Sequence, residues 1–181
     1  MKTTLTALVV VALATPAVAS ETAPYAGLDA RNIATLSEKD VDDLLAGRGW
    51  GFALAAELNG YPGPAHVLEL AETLELSDTQ RADVQAIFDA MNAEARVLGA
   101  QYVAAEAAVS RAFESGEVDA KTLAALIAAS GAIEADLRRV HLEAHLQVKP
   151  LMTRHQTMLY SRARGYGAAG GGHGSGGHSH D

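Results

Sequence analysis

Leu76-Ser77-Asp78-Thr79-Gln80 opens the longest helical pattern of the chain, read from Ser77 to about Glu114. Ser77 can accept from an amide of the first turn, and Gln80, three residues on, can reach back to the Ser77 amide: a capping box. Behind it, Val84, Phe88, Met91, Ala95, Leu98, Tyr102, Ala105, Val109 and Ala112 follow at alternating steps of four and three. That is the spacing of one core-facing helix stripe. At 1.5 Å per residue the helix is about 57 Å long. Ser115-Gly116 ends it, with the glycine placed for a left-handed cap. Asp119 then caps a second long helix to about Lys149, with Leu123, Leu126/Ile127, Ser130, Ile133, Leu137, Val140, Ala144 and Val148 as its stripe. A link this short between two long helices makes an antiparallel hairpin.

The same opening recurs at Met152-Thr153-Arg154-His155-Gln156, after Pro150 has ended or kinked the preceding helix. It starts a last helix to about Arg164. A looser copy, Leu36-Ser37-Glu38-Lys39-Asp40, starts a short amphipathic helix to Ala46, with Asp40, Asp42 and Asp43 largely outward. Gly47-Arg48-Gly49-Trp50-Gly51 then forces a bend. A helical piece over Phe52–Leu58, a dense turn over Asn59–Pro64 and a short helix over His66–Leu74 complete the series. No strand is expected. The fold class is all-α: a long antiparallel helical hairpin with short flanking helices. Two long helices cannot cover their own apolar faces, so a homodimer is the expected solution.

The ends read differently. Lys2, the apolar run Leu8–Ala14 and Ala17-Val18-Ala19 form a secretory signal with its cleavage site, residues 1–19. The run is too short to cross a bilayer, which takes about 20 apolar residues, and no later stretch is membrane-spanning. The product is expected to be exported. Residues 20–36 read as a flexible N-terminal arm, 37–166 as the helical domain, and 167–181 as a disordered Gly/His-rich tail.

The chain has no cysteine, which excludes thiol catalysis, disulfides and thiolate metal sites. Its formal net charge of −8 becomes one unit more negative when Lys2 leaves with the signal. Nucleic acid is a poor partner for such a chain, and cations are a better one.

The two L-[ST]-x-x-Q-like boxes, at Leu76, Ser77 and Gln80 and again at Thr153 and Gln156, flank a helical hairpin behind a cleaved signal. This resembles the Spy/CpxP family of periplasmic stress proteins. The stretch from Ala56 to Leu68, with its Asn59-Gly60-Tyr61-Pro62-Gly63-Pro64-Ala65-His66 segment, looks like the metal-sensor and zinc-resistance-associated branch of that group. The second box departs from the family pattern with Met152 in the Leu position, and the chain is acidic where the chaperone members offer a basic cradle. The resemblance implies an all-α, cradle-shaped homodimer. It also implies either periplasmic metal buffering and sensing or ATP-independent holding of unfolded periplasmic proteins. A third expectation is a helical module that docks on an envelope sensor domain.

His141-Leu142-Glu143-Ala144-His145 is the sharpest chemical feature. Residues four apart share a helix face, so both imidazoles can reach one ion. They lie beside the core stripe. The plain alternative is a pair of half-buried histidines near a helix C-terminus, where the dipole favours imidazolium. Glu143 points elsewhere, so this is not a zincin motif. Glu134, two turns back, is a supporting group at most. A third ligand has to come from elsewhere, with His66, Glu69, Met152 and His155 as candidates, from this chain or from a second copy of it. In the tail, His173, His178 and His180 can collect Zn, Cu or Ni, or can be incidental to a solubilising segment. No organic cofactor is expected. Trp50, Phe52 and Tyr61 read as a plug closing the hairpin, or as an apolar patch for client chains. Neither a nucleophile setting nor a Glu-x-x-His pair is present, so an enzyme is not expected.

Overall fold

The computed structural model describes residues 23–166. Residues 1–19, read above as a signal, and the tail at 167–181, with His173, His178 and His180, lie outside the described residues. The chain divides at Ala30 into two units. In the first, residues 23–30 are a run of turns, in which the Ala26 amide donates to the Ala23 carbonyl at 2.9 Å.

The second unit is all helical. Its elements are α1 (Glu38–Leu45), α2 (Leu54–Glu57), α3 (Pro64–Glu69), α4 (Asp78–Glu114), α5 (Ala120–Val148), a 3₁₀ turn (Lys149–Leu151) and α6 (Arg154–Ala163). Among the described residues, the β-type pairing is one isolated bridge between Ile33 and Leu36. No helix of the described residues is long and apolar enough to cross a membrane. α4 and α5 form the expected hairpin, and the short helices pack on its base.

The stripes behave as their spacing requires, but only where a third element covers them. Val84, Met91, Ala95 and Tyr102 of α4 and Leu137, Val140, Ala144 and Val148 of α5 are buried. Toward the hairpin tip, Ala105, Val109, Ala112, Leu123 and Leu126 are half-buried, and Phe113 and Ile127 are more than half exposed. Gly99 lies within the α4 stripe and lets α1 approach closely. A Cβ there would stand 2.1 Å from the Leu44 carbonyl oxygen.

Two expectations are corrected. The end of the expected arm, from Ile33 to Leu36, is packed, not free: Ile33 and Leu36 are buried in the cluster that α4 and α5 share. The hydroxyl of Thr35 donates to Glu106 at 2.6 Å, and the Ala34 amide donates to Ser110 at 3.2 Å. An apolar pair three residues apart on a turn finds an uncovered groove of the hairpin, and burial outweighs freedom. Asp43 is not outward but buried, where Lys39 and Arg48 both pair with it.

All three boxes cap their helices. Ser37 and Asp40 exchange both capping bonds, as do Ser77 with Gln80 and Thr153 with Gln156. The two glutamine boxes do more. Gln80 donates to the side-chain oxygen of Gln156 at 3.0 Å and to the Leu151 carbonyl at 2.7 Å. Gln156 donates back to the Gln80 oxygen at 3.1 Å and to the Leu74 carbonyl at 3.2 Å. A capping box accepts Glu as readily as Gln, but only the amide supplies these donors. Gln156→Glu keeps the cap acceptor, and it places a buried carboxylate against two carbonyl-type oxygens. It is expected to cost roughly 1–3 kcal/mol, read as a lower urea midpoint at unchanged slope. An unchanged midpoint would show that the pair contributes nothing.

Candidate functional site

α5 brings His141 and His145 to the hairpin base, one turn apart on the edge of its buried stripe. They are 3% and 6% exposed. A cavity of about 350 Å³ opens beside them, walled by the Gly49–Leu54 bend, the Glu57–His66 segment, Met91 of α4 and Arg164 and Tyr166 beyond α6.

The bend is placed by Trp50. Its φ of 40° is in the left-handed region, rarely adopted by a bulky residue. Its indole nitrogen donates to Asp40 at 2.8 Å, and its ring packs on Phe52 and Tyr102. Hydrogen bonds from Ser37 and then Trp50 hold the Asp40 carboxyl down at about 2. Phe52 in turn stacks on His141, with centroids 5.8 Å apart and planes 20° from parallel. The aromatic cluster thus supports the histidine pair, apart from Tyr61, which is partly exposed under Lys149.

The Nε2 atom of His141 is buried with no hydrogen-bond partner. Burial, with His145 adding to it, holds the imidazole down at about 4, so the ring is neutral near pH 7. His145 is oriented from the other side. Its Nδ1 lies 2.7 Å from the Tyr61 carbonyl oxygen, which only accepts, so Nδ1 carries the proton. In the neutral ring Nε2 then bears the lone pair. A Cβ on Gly63 would stand 2.9 Å from that Nε2 and 3.1 Å from a Glu57 oxygen. The bare backbone of Gly63 leaves the room in which these two groups approach each other.

Glu57, at the end of α2, is buried. Tyr160 of α6, 1% exposed, donates its hydroxyl to the carboxylate, with oxygens at 2.7 and 2.8 Å. His66 Nδ1 lies 2.6 Å from the same group. Burial pushes the Glu57 carboxyl up. The hydrogen bonds from His66 and Tyr160, helped by the charge of His66 and His145, outweigh that and hold it below the ordinary range. Glu57 is therefore a carboxylate. Burial and that carboxylate push the Tyr160 hydroxyl well up, so Tyr160 remains a donor.

The structure thus brings His66, His141 and His145 to one cavity. His155 is exposed on the first turn of α6, and Glu69 is exposed; neither lines the cavity. Met152 is buried in an apolar cluster with Val67, Leu74, Val84, Val148 and Tyr160. Glu134 is exposed and lines a separate hollow with Arg138. Glu57 and Tyr160 were not legible as site residues. The one signal for Glu57 was an acid among Phe52, Ala53 and Ala56 on a short apolar piece. Among the described residues, no three His, Asp or Glu side chains already converge closely enough to hold one ion.

Fold and cavity together define an all-α hairpin protein with a buried histidine–carboxylate pocket at its base. Residues 44–158 match the family model described as heavy-metal resistance. The chain belongs to that family, which is related to the Spy/CpxP-like periplasmic proteins. The matched stretch includes Glu57, His66, His141 and His145 and stops short of the tail. No curated protein and no solved structure matches the chain significantly.

The buried imidazole makes stability pH-dependent. Below its ordinary value of 6.5, His141 takes up a proton in the unfolded chain that the folded chain refuses until about pH 4. Stability therefore falls as pH falls through this window, by roughly 2 kcal/mol between pH 7 and 5. Urea midpoints in chelator-treated buffer should show this loss, and His141→Phe should remove most of it. Equal losses in both proteins would contradict the assignment.

Proposed function

We propose that the cavity is a transition-metal site, and that the protein is an exported accessory of the periplasmic metal-stress response that buffers or senses Zn, Cu or Ni. The observation that carries this reading is the orphaned Nε2 of His141. A buried, unpartnered polar atom costs stability, and a neutral imidazole is a ready metal ligand. Its neighbours fit the same use. His145 offers a second lone pair, and Glu57 offers an ionised carboxylate. Imidazole and carboxylate together suit Zn, Cu or Ni over the oxygen-seeking alkaline-earth ions.

His141, His145 and Glu57 are the residues that would hold the ion. Tyr160 and His66 aim Glu57, and the Tyr61 carbonyl aims His145, in the manner of outer partners that orient metal ligands. Met91 adds a soft wall. The ion itself would supply a binding event, not a reaction, and the reading is of a binding protein with no catalytic role. Export rests on the leader of residues 1–19. A homodimer is supported by the exposed Val97 midway along α4 and by the exposed Phe113 and Ile127 toward the hairpin tip.

Calorimetric titration of the full chain with Zn(II) or Ni(II) should give one ion per chain. Tyr160→Phe, which only loosens Glu57, should weaken binding about 10–100-fold, and His141→Ala should weaken it more. Equal affinity in all three proteins would reject the cavity as the site.

A further inference from the structure

We propose that the cavity takes its metal ion as a complex with a small α-amino acid, and that Arg164 holds the carboxylate of that amino acid. The inference rests on the metal reading above and names the form in which the ion is held.

Two mismatches with a bare ion point this way. The first is size. The cavity measures about 350 Å³. One water takes up about 30 Å³, so an ion with a single water leaves most of the space unfilled. Clefts of about 300–1,000 Å³ with largely apolar walls and a few polar groups hold small organic molecules. Leu54, Pro64 and Met91 supply such walls here. The second mismatch is donor count. His141, His145 and Glu57 offer three donors at most, and among the described residues no three acidic or histidine side chains converge on one point. A closed zinc-type site takes four ligands. An amino acid brings two donors in one molecule, its amine and one carboxylate oxygen.

Arg164 gives the remaining carboxylate oxygen a partner. It is the C-cap residue of α6 and lines the same cavity as His141 and His145. Its Nε donates to the Tyr166 hydroxyl at 3.4 Å, and its guanidinium lies over the Tyr166 ring, 5.9 Å from the centroid. These contacts place the charged head on the cavity wall. The ion pairs of the described residues use Lys39, Arg48, His66, Arg81 and Arg139, and none uses Arg164. Its two terminal nitrogens therefore face the cavity with their donors to give, in the planar fork that fits a carboxylate. A fixed positive charge on the wall of a cation site disfavours a bare ion. An anionic ligand lying between the two removes that conflict.

The test is equilibrium dialysis of the full chain against Ni(II) with ¹⁴C-glycine, counting ion and label separately. Labelled 1,2-diaminoethane, a chelator without a carboxylate, replaces glycine in a parallel series. The unaltered chain should retain one glycine per bound ion, and none without Ni(II). Arg164→Gln should bind the glycine complex at least about tenfold more weakly, the loss of one charge-assisted hydrogen bond, while its retention of diaminoethane should not fall. If the unaltered chain binds Ni(II) and retains no glycine, the inference fails and the metal reading stands. If Arg164→Gln retains glycine as well as the unaltered chain, or if glycine stays without Ni(II), the inference also fails. If no Ni(II) is retained, or His141→Ala retains as much of it, the cavity is not a metal site and the reading beneath the inference is rejected.

Discussion

Two glutamine side chains, Gln80 and Gln156, exchange amide hydrogen bonds between the starts of α4 and α6. Each already caps its own helix, so one residue type serves two levels of structure. The pair, with its bonds to the Leu74 and Leu151 carbonyls, anchors α6 across the base of the hairpin. Four residues on, one turn along the same face, Tyr160 is buried and holds the Glu57 carboxylate. The geometry of the cavity thus depends on a cap more than a helical turn away. The repeated box is not only a punctuation mark for helix starts; it aligns the last helix so that its tyrosine reaches the site.

Within the cavity, burial leaves one group neutral and its neighbour charged. Desolvation keeps His141 neutral, because nothing nearby stabilises an imidazolium strongly enough to offset burial. The same burial should neutralise Glu57, but two donors aimed at its oxygens keep it ionised. The result is a concave site with free nitrogen lone pairs and a fixed negative charge, in a chain whose overall charge is also negative. Such a site favours a cation, and the neutral ring of His141 holds no proton that would compete with one.

The hairpin, its caps and its short flanking helices were legible because they follow from local rules: periodicity, capping residues and short links. The His141–His145 pair was legible for the same reason, as a spacing on one helix. What escaped was set by partners distant in sequence. Glu57 looks like an ordinary surface acid until Tyr160 is folded onto it. Gly63 looks like a turn glycine, yet its role is the space it leaves beside His145. Ile33 and Leu36 lie in a stretch that reads as a loose arm, and they are buried because the hairpin offers them a groove. Met152 and His155, plausible ligands by residue type, sit respectively in an apolar cluster and on the surface of α6.

The account stands or falls on whether the lone pairs of His141 and His145 accept a metal ion. Ring-nitrogen chemical shifts of ¹⁵N-histidine-labelled protein, followed through a Zn(II) titration, read this directly. The account predicts that the Nε2 resonances of both residues move together and saturate at one equivalent, while the Nδ1 proton of His145 stays bonded to the Tyr61 carbonyl. If both Nε2 resonances hold their positions at one equivalent while other histidines shift, the cavity is not the metal site, and the buried pair is there for packing alone.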